Sequence, residues 1–198
     1  MHIEMLVEEQ SMEEALKNLL PRLLPADTTY RLLNFQGKHN LLKQLPARLR
    51  GYSWITEDYR IVVLIDEDRQ NCLALKQQME DAAQQAGLST KTRAGGTRFQ
   101  VLNRIVIEEL EAWFLGDMEA LRRAYPRLPE GLPRKFNNPD AVSGGTWEAL
   151  ERTLQRQGYF KGGYLKVEAA RAISAHMDPA RNRSKSFQVF HAGLRALG

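Results

Sequence analysis

With 198 residues, 43% of them hydrophobic and 26% charged, the chain is long enough for one ample domain and ordinary in composition for a globular protein. No stretch approaches the roughly 18 uninterrupted apolar residues of a membrane span, and the N-terminus MHIEMLVEEQ is acidic where a signal peptide is basic; a cytoplasmic protein without membrane contact is expected. The single cysteine, Cys72, excludes an internal disulfide and reads as a packing residue.

The net charge of +4 divides unevenly: residues 1–116 carry 14 Lys and Arg against 16 Asp and Glu, and residues 117–198 carry 14 against 8. A basic second half suits a polyanion, and equally an ordinary solvated surface.

In chain order, HIEMLVEE alternates Ile3, Met5 and Val7, which predicts a strand ending at Glu8 and Glu9. Ser11 is placed to cap a helix over ALKNLLPRLL, with Pro21 expected to break or kink it. TTYRLLNF predicts a second strand, and KHNLLKQLPARLRG a helix with Leu41, Leu42, Leu45 and Leu49 at helical spacing. RIVVLID is a continuous aliphatic run, the pattern of a central strand covered on both faces. NCLALKQQMEDAAQQAG predicts a helix stopped at Gly87, and STKTR and RFQVLNR two short strands around an AGG turn.

IVIEELEAWFLGD then reads as a helix whose apolar stripe is Val106, Ile107, Leu110, Trp113 and Phe114, with Trp113 in the core. Beyond it come helices and loops, with four prolines from Pro126 to Pro139. The alternation predicts an α/β fold with a mostly parallel sheet flanked by helices over residues 1–116. Residues 117–198 are expected to form a helical extension on the same domain.

The chemistry concentrates where strands end. In a parallel sheet the C-terminal ends share one edge, and ligands bind in the crevice there. The first strand delivers Glu8 to that edge and the aliphatic run delivers Asp66. Two extended residues spaced i, i+2 point the same way, so Asp68 is expected to face the same site as Asp66, while Glu67 turns aside and is expected to be dispensable. Carboxylates converging without basic partners are tolerable around a hard divalent cation, so Glu8, Asp66 and Asp68 are candidate ligands for Mg²⁺ or Mn²⁺. The alternative for Asp68 is an N-cap of the following helix. Glu109 and Glu111 flank the apolar stripe and either lean over the site as auxiliary acids or lie in solvent. No His or Cys spacing suits zinc, no GxSxG elbow occurs, and no glycine doublet belongs to a phosphate-binding P-loop.

The ordered blocks LVEEQS, VVLIDEDRQNC, LNRIVIEELEAWFLGD and NRSKSFQVF, from Met5 to about Leu197, resemble a bacterial family of unknown function with a Toprim-like fold. Toprim domains are similar to one another in a Glu after the first strand and an Asp-x-Asp after a later one. Glu8, Asp66 and Asp68 take those positions. The resemblance implies Mg²⁺-dependent hydrolysis of DNA or RNA, with Glu8 as acid/base or metal ligand. It departs from the OLD-type nuclease pattern V-E-G-x-T-E: Glu9 replaces the glycine, Met12 stands at the second acid, and Glu9 or Glu13 would have to substitute.

Lys185 resembles the basic residue such sites place near the phosphate, with Arg181, Arg183 and Ser184 beside it. The alternative there is a helix capped by Ser184 with a solvated lysine. The resemblance also implies an AAA-type ATPase partner in a phage-defence-like system. Two other readings stand beside a nuclease: a catalytically silent nucleic-acid-binding or regulatory subunit of that ATPase, and a phosphotransferase using Asp66 as nucleophile, which lacks the later Ser or Thr it requires.

Overall fold

The computed structural model describes residues 1–131 and 136–198; of the four prolines, Pro133 lies outside them. Four parallel strands, β1 (His2–Val7), β2 (Thr29–Asn34), β3 (Tyr59–Asp66) and β4 (Val101–Val106), form one sheet in the order β2-β1-β3-β4. This is the α/β class the strand-helix alternation predicts. The aliphatic run lies in an inner strand, and its period of two splits it between two cores: Val62 and Leu64 face one side, Ile61, Val63 and Ile65 the other.

On one face α2 (Lys38–Arg50) and α3 (Cys72–Gln85) pack through Leu41, Leu45, Leu49, Leu75 and Met79. On the other, α1 (Gln10–Leu23) packs with four later helices, α5 (Met118–Ala124), α6 (Thr146–Arg156), α7 (Lys166–Ser174) and α8 (Lys185–Arg195). Their Leu121, Leu150, Ile173 and Phe187 join Ile3, Met5, Val62 and Leu64 in one core. No helix among the described residues is long and apolar enough to cross a membrane.

Several local expectations are corrected. The first helix starts at Gln10 with Glu9 at the N-cap, so Ser11 lies inside its first turn and donates instead to the Glu9 carboxylate. Pro21 does not break that helix, which continues to Leu23, because a proline in the last turn removes only one hydrogen bond. STKTR is a turn, in which Thr90 alone bridges to Val101.

The segment read as one long helix is two elements. β4 runs to Val106, and the short α4 (Glu111–Gly116) begins five residues later. Val106 and Ile107 fit a helical wheel because a short apolar run satisfies either period. Trp113 is in the core, stacked 4.9 Å from Phe190, with its indole N–H donating to Ser186 Oγ at 3.0 Å. α4 meets the start of α8 so closely that a Cβ on Gly116 would lie 2.2 Å from Asn182 Oδ1, a contact only glycine allows.

Candidate functional site

The parallel register brings the ends of β1, β3 and β4 to one edge, with Val7 beside Leu64 and Asp66 beside Val106. Glu8 leaves β1 there, and its Oε2 accepts the backbone N–H of Asp66 at 3.0 Å. That bond ties the Glu8 carboxylate to the backbone of Asp66, across 58 residues of chain. Both are enclosed, Glu8 7% and Asp66 4% exposed, and Glu111, at the start of α4, is 1% exposed. Glu111 therefore lies inside the protein, whereas the wheel placed it on a border.

Burial dominates the electrostatics. It pushes Glu8 up to about 7 against the Asp66 N–H and the Lys38 charge, with Asp68 and Glu9 adding to the rise. Asp66 is raised well above the ordinary carboxylate range by burial and then by Glu8, Glu111, Glu9 and Asp68. Glu111 rises to about 7 through burial, opposed mainly by Lys166. Two oxygens of this group, Asp66 Oδ1 and Glu111 Oε2, are buried and accept no hydrogen bond. A buried carboxylate oxygen without a donor costs about 1–3 kcal/mol or more, so the acid cluster is stabilised by a proton or a cation.

The loop after β3 departs from extended geometry. Asp68 and Arg69 have φ of 50° and 59°, in the left-handed region, so the rule that residues two apart face the same way ends at Asp66. Asp68 turns to Lys38, 2.8 Å from its Nζ, and the same ammonium donates to the Glu67 carbonyl at 3.0 Å. Asp68 is not the cap of α3; Asn71 is, accepting from Ala74 N at 3.0 Å. Glu67, expected to be dispensable, ties β3 to the loop after β4 by accepting from Glu108 N at 3.1 Å.

The C-terminal half supplies a wall. Glu109 accepts from Thr146 Oγ1 at 2.7 Å and from Trp147 N at 3.0 Å, so it anchors the start of α6 to the site edge. Arg69 reaches Glu148 at 3.4 Å. Lys166 lies 5.5 Å from the Trp147 ring. Burial works against its charge, but Glu111, Glu9, Glu109 and Asp66 outweigh that and hold its ammonium pKa above the ordinary value. Tyr164 is partly buried with its hydroxyl enclosed, and burial together with the Glu111 charge pushes its phenol well up. Neither Lys166 nor Tyr164 belongs to a motif, so their arrival, about 50 residues after Glu111, left no signal in the chain.

The late basic stretch does not reach the acids. Ser184 is fully buried and caps α8, accepting from Phe187 N at 3.1 Å and donating to Asp140 at 2.8 Å. The Lys185 side chain lines a separate cavity with Leu73, Arg104, Ile107 and Val189. Arg183 is exposed, and its N–H donates to the Gly116 carbonyl at 2.9 Å. Arg181 clasps Asp117 at 2.8 Å. Met12, at the place of a second acid, is wholly buried in the core. Glu13 pairs with Lys17 at 2.8 Å and accepts from Asn34 at 3.3 Å, and Glu9 is the extra acid whose charge Asp66 feels.

Among the described residues no group of three or more His, Cys, Asp or Glu side chains is placed to hold a metal ion, so Glu8, Asp66 and Asp68 do not converge as a three-ligand set. The orphaned Asp66 oxygen beside Glu8 fits a partial site, in which one or two carboxylates hold Mg²⁺ while waters and substrate phosphates complete the shell.

A family model described as Domain of unknown function (DUF4276) matches residues 7–195. One solved structure, the C-terminal region of the Xanthomonas campestris pv. campestris OLD protein, is 14% identical, covering 98% of this chain and 93% of that one, with a TM-score of 0.47. No curated protein matches the chain.

Proposed function

Since the chain belongs to the DUF4276 family of domains of unknown function, a membership that assigns no chemistry, we propose from the site itself a divalent-cation-dependent, Toprim-like nuclease. The observation that carries this reading is the buried Asp66 Oδ1 without a donor, held against Glu8 at the ligand edge of a parallel sheet.

Glu8 and Asp66 would hold Mg²⁺ or Mn²⁺, with Asp68 at the rim. The cation, when bound, supplies Lewis-acid stabilisation of charge on a scissile phosphate. Glu111, raised to about 7, is poised to take or give a proton near neutral pH. Lys166 faces the acids from α7 and would hold the phosphate, the role the sequence pattern placed at Lys185. Glu109 keeps α6 and Trp147 in place. The resemblance that the ordered sequence blocks carry further implies an AAA-type ATPase as partner.

Incubation of the purified chain with single- and double-stranded DNA and RNA plus Mg²⁺ or Mn²⁺ tests the reading. Cleavage abolished by Glu8→Gln and by Asp66→Asn, with folding retained, supports it. Cleavage indifferent to both substitutions overturns it.

The enclosure of Glu8, Asp66 and Glu111 favours a second reading, a silent subunit that binds without cutting. Absence of cleavage with every cation, both alone and with an ATPase partner, selects it.

A further inference from the structure

Helix α2 carries four cations, Lys38, Lys43, Arg48 and Arg50, and no acid, in the half of the chain whose net charge is negative. Lys38 is committed to Asp68, but Lys43, Arg48 and Arg50 are exposed. Asn40, Gln44 and Arg48, at successive turns of the helix, face a groove of about 360 Å³ against the open edge of β2. Asn34 and Gln36 line that groove and also a second cavity of about 480 Å³ with Gln10 and Glu13.

The two cavities adjoin at Asn34 and Gln36, and the second lies next to the acid edge in the chain. Gln10 follows Glu9, and Gly37 N donates to the Glu8 carbonyl at 2.7 Å.

Around Arg48, which lines the first groove, the surface is aromatic and basic. Arg48 lies over the Tyr52 ring at 5.2 Å and donates to its hydroxyl at 3.0 Å. Arg31 and Arg48 converge on the buried Glu4, at 3.9 and 3.6 Å. Trp54 is 62% exposed, in a T-shaped contact with Tyr59 at 5.2 Å and tilted against Tyr52 at 6.3 Å. An exposed indole, exposed arginines and a row of side-chain amides suit unpaired bases on a phosphate backbone. A peptide added to the β2 edge would instead be read by side-chain pockets at alternate positions, which amides and cations do not provide.

We propose that the groove between α2 and the β2 edge, running from the surface around Arg48 and Trp54 toward the acid edge, is a track for single-stranded nucleic acid. This deepens the nuclease reading by naming its substrate class, and it is tested by binding alone. Binding of a fluorescein-labelled single-stranded oligonucleotide, and of the same sequence as a duplex, is measured in an Asp66→Asn background over a salt series.

The single strand is expected to bind more tightly than the duplex. Trp54→Ala is expected to weaken single-strand binding about 5- to 100-fold. Gln44→Glu/Arg48→Gln is expected to weaken it about tenfold and to lower the salt slope by about 0.7 for the lost phosphate contact. Gln44→Glu alone, at a side chain with no hydrogen bond among the described residues, keeps the test informative if loss of the Arg48–Tyr52 contact harms folding.

Affinities within about twofold of the parent for all three variants overturn the proposal, as does equal or tighter duplex binding, or no single-strand binding at low salt. A change of oligomeric state in the variants without any effect on oligonucleotide binding assigns the groove to a protein partner and equally overturns it. Binding that follows the pattern without cleavage by the parent chain keeps the track and removes the nuclease.

Discussion

Asp117 and Asp66 are both aspartates, and they are 1% and 4% exposed, yet the protein treats them in opposite ways. Asp117 accepts from Arg181 Nε at 2.8 Å and Nη2 at 3.0 Å, from Asp178 N at 2.7 Å and from Ala120 N at 3.1 Å. Burial works against its charge there, but Arg181 and the two backbone donors outweigh it and keep the group below the usual carboxylate range. Glu80 behaves likewise: burial is overcome by Thr90, Asn103 and Lys76.

At Asp66 the donors are missing and other acids crowd in, so burial wins. Burial alone therefore does not mark a functional carboxylate. Burial without donors sets Asp66 apart, because folding by itself gains nothing from such a group.

The contrast can be broken most sharply by removing each charge. Asp66→Asn and Glu8→Gln should lower metal-dependent cleavage about 10²- to 10³-fold, the several kcal/mol of transition-state charge stabilisation a held cation supplies. The same variants should unfold in urea no earlier than the parent at pH 8 without metal. Earlier unfolding would place Asp66 with Asp117.

Asp117→Ala should cost about 2–4 kcal/mol of stability, since it strands Arg181 and two N–H groups; that value is discounted because Arg181 is partly exposed. A loss below about 1 kcal/mol would erase the distinction.

The two regions also differ in pH response. Glu8 and Glu111 have folded values raised to about 7 from 4.5. The folded state then holds more protons than the unfolded state between those values, so the stability they contribute is full below about pH 4.5 and is lost as pH rises through 7. The metal-free protein should lose about 3 kcal/mol for each of the two groups over that window, and Glu8→Gln/Glu111→Gln should flatten the profile. Stability that rises between pH 5 and 8 would contradict the raised values.

Lys166→Met should lower the cleavage rate about tenfold while leaving Mn²⁺ affinity, read by calorimetry, unchanged or tighter. A weaker Mn²⁺ titration would show that Lys166 supports the acids rather than the phosphate. Smallest is Glu67→Gln, which should cost about 1 kcal/mol by weakening the tie to Glu108 N, measured as a shift in the urea midpoint.

Much of the frame was legible in the chain, because strand and helix periods are local. Ile61 to Ile65 announce a strand buried on both faces, and an acid directly after such a strand must lie at the edge of a parallel sheet. The pairing of Glu8 with Asp66 followed from that rule. The local errors arose where two periods overlap. Val106 and Ile107 belong to a strand end and a loop but fit a helix, and Asp68 fits an extended residue only until the backbone turns left-handed.

The sequence by itself determined the layers, the central strand and the edge to which Glu8 and Asp66 are delivered, since each depends on residues a few positions apart. Only the tertiary structure decided that Glu111 is enclosed, that Lys166 and Tyr164 close over it, and that Asp68 turns to Lys38. It likewise decided that Ser184 caps a helix rather than meeting a phosphate. These outcomes depend on which donors reach a carboxylate from distant parts of the chain. That depends on packing, and no local spacing encodes it.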